Sequence, residues 1–153
     1  ANALGREKDY AGAARWTEIA LRFDSGLKPA SVMLGTYYYL NNQRDEAIAE
    51  YRKMTQLDPG EAEYWLRLAW IYGQDQPAVA LKTIDEAISR IPDGRQLYID
   101  GFRYAAHAGL VEVAKGYIQR WLDRHPDDNE MRGAFSQADS LIRADYGAPA
   151  GTR

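Results

Sequence analysis

The sequence predicts an all-α fold, an α–α superhelix of about 3.5 stacked helix pairs closed by a C-terminal capping helix. Three observations carry that expectation. A small residue recurs at Ala13, Ala47, Ala80 and Ala114, which are 34, 33 and 34 residues apart. A proline keeps step at Pro59, Pro92 and Pro126, spaced 33 and 34. Between them, bulky, small and aromatic residues return at the three- and four-residue steps of a helix face. Self-similarity at this period marks an array in which each helix pair buries its apolar face only by stacking on its neighbours.

The elements follow in order. Residues 1–26 hold a partial copy: Leu4 near an aromatic place, then Asp9-Tyr10-x2-Ala13 and Ala20 on a second helix. Residues 28–60 give a full copy, with Leu34-Gly35-x2-Tyr38 on the first helix and Ala47-x3-Tyr51-x2-Met54 on the second, ending at Pro59. Ser31 stands where a bulky residue is expected. Residues 61–93 repeat the pattern as Trp65-x2-Leu68-Ala69-x2-Tyr72, Ala80-x3-Ile84-x2-Ala87 and Pro92. Residues 94–126 fit in two registers, one using Leu97, Gly101 and Tyr104, the other Tyr98, Phe102 and Ala105; Ala114, Ile118 and Pro126 follow. The step from the small residue of the first helix to the alanine of the second is 12, 11 and 13 residues in the three copies (Gly35–Ala47, Ala69–Ala80, Gly101–Ala114). Small residues let paired helices approach closely, and proline ends the second helix because it cannot continue the hydrogen-bond ladder.

Residues 127–145 start with Asp127-Asp128-Asn129-Glu130, acids suited to a first helical turn. Met131, Ala134, Phe135, Ala138, Leu141 and Ile142 then recur on one face, as a capping helix requires. Trp121, where a small residue is usual, is expected to fill the interface with that cap. The whole of 1–146 is expected to form one domain, followed by a flexible tail at 147–153.

These motifs resemble the tetratricopeptide repeat, whose helix A reads W-x2-L-G-x2-Y and whose helix B reads A-x3-F/Y-x2-A before a proline. The likeness covers residues 1–126. It implies a protein-interaction scaffold, bacterial members of the family included, with a concave groove lined by helix A residues off the core face. Carried onto this chain, those residues are Val32, Thr36 and Tyr39; Glu63, Leu66, Trp70 and Gln74; and Tyr98, Phe102 and Ala105, or a one-residue neighbour of each of the last three if the other register holds. Such a groove is apolar and aromatic, suited to an apolar or amphipathic segment of a partner protein. It lacks the Lys/Asn/Arg set with which chaperone-binding members clamp a C-terminal carboxylate, since Thr36 and Trp70 stand where asparagine is needed. Tyr39, Trp70 and Phe102 also fit the array's own interior. Two other readings follow from the resemblance: part of an exopolysaccharide assembly, export or other envelope protein, with aromatic rings stacking on carbohydrate, or a structural spacer that self-associates into a homo-oligomer.

Other function classes find little support. Net charge is −3 with both signs interspersed, so no nucleic-acid or anionic-membrane footprint is expected. The absence of cysteine excludes disulfides, zinc thiolates and thiol catalysis. His107 and His125 lack a ligand-type neighbour at i, i+4 spacing. No glycine loop of phosphate-binding type occurs, and Asp45-Glu46 and Asp85-Glu86 read as solvated helix faces. No catalytic, cofactor-binding or metal-binding residue is therefore expected. The first residues lack an apolar signal core and an initiator methionine, so a processed chain or a piece of a longer protein is expected, with the compartment, cytoplasmic or periplasmic, left open.

Overall fold

The computed structural model of the chain describes residues 9–146, all of whose regular structure is helical. Leu4 and the tail at 147–153 lie outside the described residues, as does the side chain of Leu141. Contacts divide the chain after Asp58 into two compact units.

The first unit holds α1 (Tyr10–Phe23), α2 (Lys28–Leu40) and α3 (Arg44–Leu57). Asp9 opens α1 by accepting from the Gly12 N–H at 2.7 Å, which satisfies one of the donors every helix start leaves unpaired. Pro29 sits in the first turn of α2, where its missing N–H costs nothing. α2 ends at Asn42, whose φ of 60° is left-handed; the Gln43 N–H then reaches back to the Tyr38 carbonyl at 2.8 Å. Asparagine tolerates that conformation better than most residues, so it can terminate a helix as glycine does. α2 crosses α3 at Gly35, where an added Cβ would come within 2.7 Å of the Tyr51 ring. Here the small residue of the repeat acts as a seat for an aromatic side chain.

The second unit holds α4 (Ala62–Gly73), α5 (Pro77–Arg90), α6 (Arg95–His107), α7 (Val111–Leu122) and α8 (Asn129–Tyr146). Pro77 starts α5, and Gly109, at φ 74°, ends α6 with the same backward hydrogen bond as at Asn42, from the Leu110 N–H to the Ala105 carbonyl at 2.9 Å. The core runs through Trp65, Ala69, Ile84, Leu97, Ile118 and Trp121 and continues into Met131 and Ile142 of α8. Ala69, Ala80, Ala87 and Ala114 have no exposed surface at all, so the period in the sequence is a period of helix crossings.

α8 is fixed by a polar hub. Asp128 accepts from Arg95 Nε at 2.8 Å, from Trp121 Nε1 at 2.9 Å and from the Met131 N–H at 3.0 Å. The Arg95 guanidinium, with help from that N–H and from Trp121, holds the Asp128 carboxyl well below the usual carboxylate range. Trp121 itself is buried, its ring 5.3 Å from Tyr98 and stacked 3.8 Å from His125. His125 and Arg124 both bind Asp93, at 3.2 Å each, and lower its pKa, Arg124 contributing more. His125 is thus committed to a turn, in keeping with its place before Pro126.

Candidate functional site

The residues expected to line a groove lie on α2 in the first unit and on α4 and α6 in the second. On α2, Val32, Thr36 and Tyr39 are all half-buried. The Thr36 hydroxyl is spent internally, donating to the Val32 carbonyl at 3.0 Å and lying 2.9 Å from the Tyr51 hydroxyl. A ligand there would meet packing surface with few polar anchors.

On α4, Glu63, Leu66, Trp70 and Gln74 fall on one stripe. Glu63 pairs with Arg67 at 3.1 Å, a surface pair worth about 0.3–0.5 kcal/mol. Leu66 is half-buried against the core, whereas Trp70 is 43 % exposed. Gln74 closes the stripe, donating to the Trp70 carbonyl at 3.2 Å. A tryptophan that open on a helix face is costly to leave in water and is a common anchor in interfaces.

α6 departs from the expected stripe. Tyr98 is only 2 % exposed, because its hydroxyl donates to the Pro92 carbonyl at 2.9 Å while its ring lies on Trp121. One repeat earlier the Trp65 indole makes the equivalent bond to the Pro59 carbonyl at 3.0 Å, also six residues back. Tyr98 therefore takes the core place that Trp65 takes, and Ala105 is fully buried with it. Tyr98 and Ala105 belong to the interior, and the outer stripe passes to Ile99 and Arg103. The crossing glycine moves as well: Gly101 receives Tyr117, three residues after Ala114, whereas Gly35 receives Tyr51, four after Ala47. A proline-to-aromatic spacing of six was the signal in the sequence that selects this register.

Phe102 stays half-buried and does reach a surface feature. Between α6 and α8 lies a cleft of about 210 Å³, walled by Ile99 and Phe102 on one side and Met131 and Ala134 on the other. Its rim carries Arg95 and Arg103 from α6 and Glu130 from α8. Arg103 donates to Asp100 at 3.0 Å and Arg95 to Glu130 at 2.8 Å, so the rim is ion-paired and the walls are apolar. α4 and α6 are brought close at Gly73, where an added Cβ would meet the Tyr104 ring at 2.6 Å. Burial pushes the Tyr104 phenol up to about 12. None of these groups forms a nucleophile–base pair. Among the described residues no cluster of His, Asp or Glu could hold a metal ion, and no helix is long and apolar enough to cross a membrane.

Comparison with known proteins agrees with this geometry. Residues 28–71 match the family model of the tetratricopeptide repeat. No curated protein sequence matches the chain. Among solved structures, the crystal structure of MamA is similar, with a TM-score of 0.62, 19 % identity, and 91 % of this chain and 85 % of that one covered. A second MamA crystal structure gives 0.59 at 18 % identity, covering 94 % of this chain and 90 % of that one. At such identity the likeness speaks for the fold alone. Residues 28–71 are thus similar in sequence to the tetratricopeptide repeat, and the described chain shares the helical fold of the MamA structures.

Proposed function

We propose that this domain holds an apolar or amphipathic segment of a partner protein against its helix A face. The observation that carries this reading is Trp70, 43 % exposed beside half-buried Leu66, in the same unit as the apolar cleft between α6 and α8. An exposed indole and an apolar recess in one unit offer two anchors for bulky side chains, and the ion-paired rim would keep water from the edge of the recess. In the first unit, taken by itself, half-buried Val32, Thr36 and Tyr39 offer a similar apolar stripe on α2. A carboxylate clamp is disfavoured, since Thr36 has spent its hydroxyl internally and Trp70 offers no amide. Peptides selected from a displayed library of amphipathic sequences test the proposal. They should bind the domain, and Trp70→Ala should weaken them about tenfold or more with helicity unchanged, the loss of one interface anchor. Selected binders indifferent to both Trp70→Ala and Tyr39→Ala would place the site elsewhere. The same open indole could stack on a sugar ring, and oligosaccharides that leave tryptophan fluorescence unchanged would rule that second reading out.

A further inference from the structure

We propose that α1 carries a second docking surface, a seam for an amphipathic helix of another protein with acidic residues beside its apolar face. This surface is independent of the helix A face. Gly12, Trp16, Ile19 and Phe23 are spaced four, three and four residues apart, the a/d spacing of a helix–helix seam. Trp16 is 74 % and Phe23 89 % exposed, and Ile19 is exposed as well. α1 meets α2 with its opposite side: Ala14 is buried, Tyr10 lies 6.5 Å from Tyr37, and Glu18 accepts from the Tyr38 hydroxyl at 2.6 Å. Among the described residues, the seam is therefore not the face that α2 covers.

The fold itself indicates that a helix is the natural occupant. Ala13 and Ala20 on α1 stand in the repeat positions of Ala47, Ala80, Ala87 and Ala114, which are sealed completely by neighbouring helices. Trp16 stands at the position of Tyr117, whose ring is seated on Gly101 of α6. On α1 the two alanines are only half-buried and Trp16 is open, so the residues that would grip a helix are present and unused among the described residues.

Charge selects the kind of helix. Arg15 and Arg22, seven residues apart and both exposed, border the seam on one edge. The acids nearby are engaged, Glu18 with Tyr38, Asp9 with the Gly12 N–H and Asp24 with the Gly26 N–H. A partner helix with Glu or Asp on the facing edge meets this basic border favourably. A second copy packed antiparallel would set Arg15 against its counterpart's Arg22, a like-charge contact that opposes self-pairing.

Two synthetic helical peptides with the same leucine seam, one flanked by Glu and one by Lys, test the assignment by fluorescence anisotropy against the whole chain. The Glu-flanked peptide should bind at least tenfold tighter, and Arg15→Glu with Arg22→Glu should invert the preference. Trp16→Ser with Phe23→Ser should abolish binding while leaving helicity and any Trp70-dependent peptide binding intact. Equal binding of the two peptides, or binding of neither, overturns the proposal. So does a dimer in light scattering that Trp16→Ser with Phe23→Ser dissolves, because the occupant would then be a second copy of the chain.

Discussion

Gly101→Ala is expected to destabilise the second unit even though alanine is the better helix former. The helix-propensity gain is about 1 kcal/mol. Against it, the new methyl would sit 2.5 Å from two atoms of the Tyr117 ring and 2.8 Å from a third. Comfortable carbon–carbon contact is about 3.5–4.0 Å, so ring or helix must move by roughly 1 Å. Tyr117 is 2 % exposed and its phenol pKa is raised by burial, so the ring has no solvent to swing into. Overpacking of a closed core costs about 1–3 kcal/mol, which leaves a net loss of up to about 2 kcal/mol after the propensity gain. Gly116, on α7, is the internal control: a Cβ there meets nothing within 4 Å, and Gly116→Ala should stabilise by up to about 1 kcal/mol. Urea unfolding followed by circular dichroism measures both changes. Placing Gly101→Ala in a Tyr117→Leu background should remove most of its penalty, as coupled neighbours do. A Gly101→Ala variant stabilised as much as Gly116→Ala would refute the argument that this glycine exists to seat a ring.

Two further outcomes follow from the hub at the start of α8. Trp121→Ala should cost about 3–5 kcal/mol and speed hydrogen exchange across α8 ahead of α4 and α5, because the indole both fills the core and bonds Asp128. Asp128 should give the unit an acid-sensitive stability. Its folded pKa lies below the unfolded value of about 3.9, so its stabilisation is complete above that pH and is lost as pH falls toward the folded value. Stability curves of the parent and Asp128→Asn should therefore converge at low pH; curves that stay parallel would show that the carboxylate charge does not matter.

The architecture was legible because it rests on residues that repeat. Ala47, Ala80 and Ala114 sit at helix crossings, and a crossing tolerates only small side chains, so the constraint is written at a fixed period. Trp121 was legible for the converse reason, since a bulky residue in a small place has to be met by something, and α8 meets it. The register of α6 was harder. Leu97 and Tyr98 are both apolar and both buried, so helical periodicity and composition do not separate the two frames; the six-residue step from Pro92 to Tyr98, matching Pro59 to Trp65, does so through the bond back to the proline carbonyl. The cleft could not be read at all, because its walls come from Phe102 and Met131 on separate helices, and its rim depends on Arg95 reaching Asp128, 33 residues away. The open stripe on α1 was overlooked for a related reason. A sequence shows that Trp16 and Phe23 share a helix face but not which face α2 covers.

The matching register of α4 and α6 has a consequence for how such a face can vary. Trp70 and Arg103 each lie 11 residues after the proline that precedes their helix, and Trp65 and Tyr98 make the same bond back to that proline. The turns leading into the two helices are of equal length, so the backbone holds the place while the outward side chain changes from an indole to a cation with the interior still filled. A helix face of this kind can exchange its chemistry by single substitutions without disturbing the crossings beneath it.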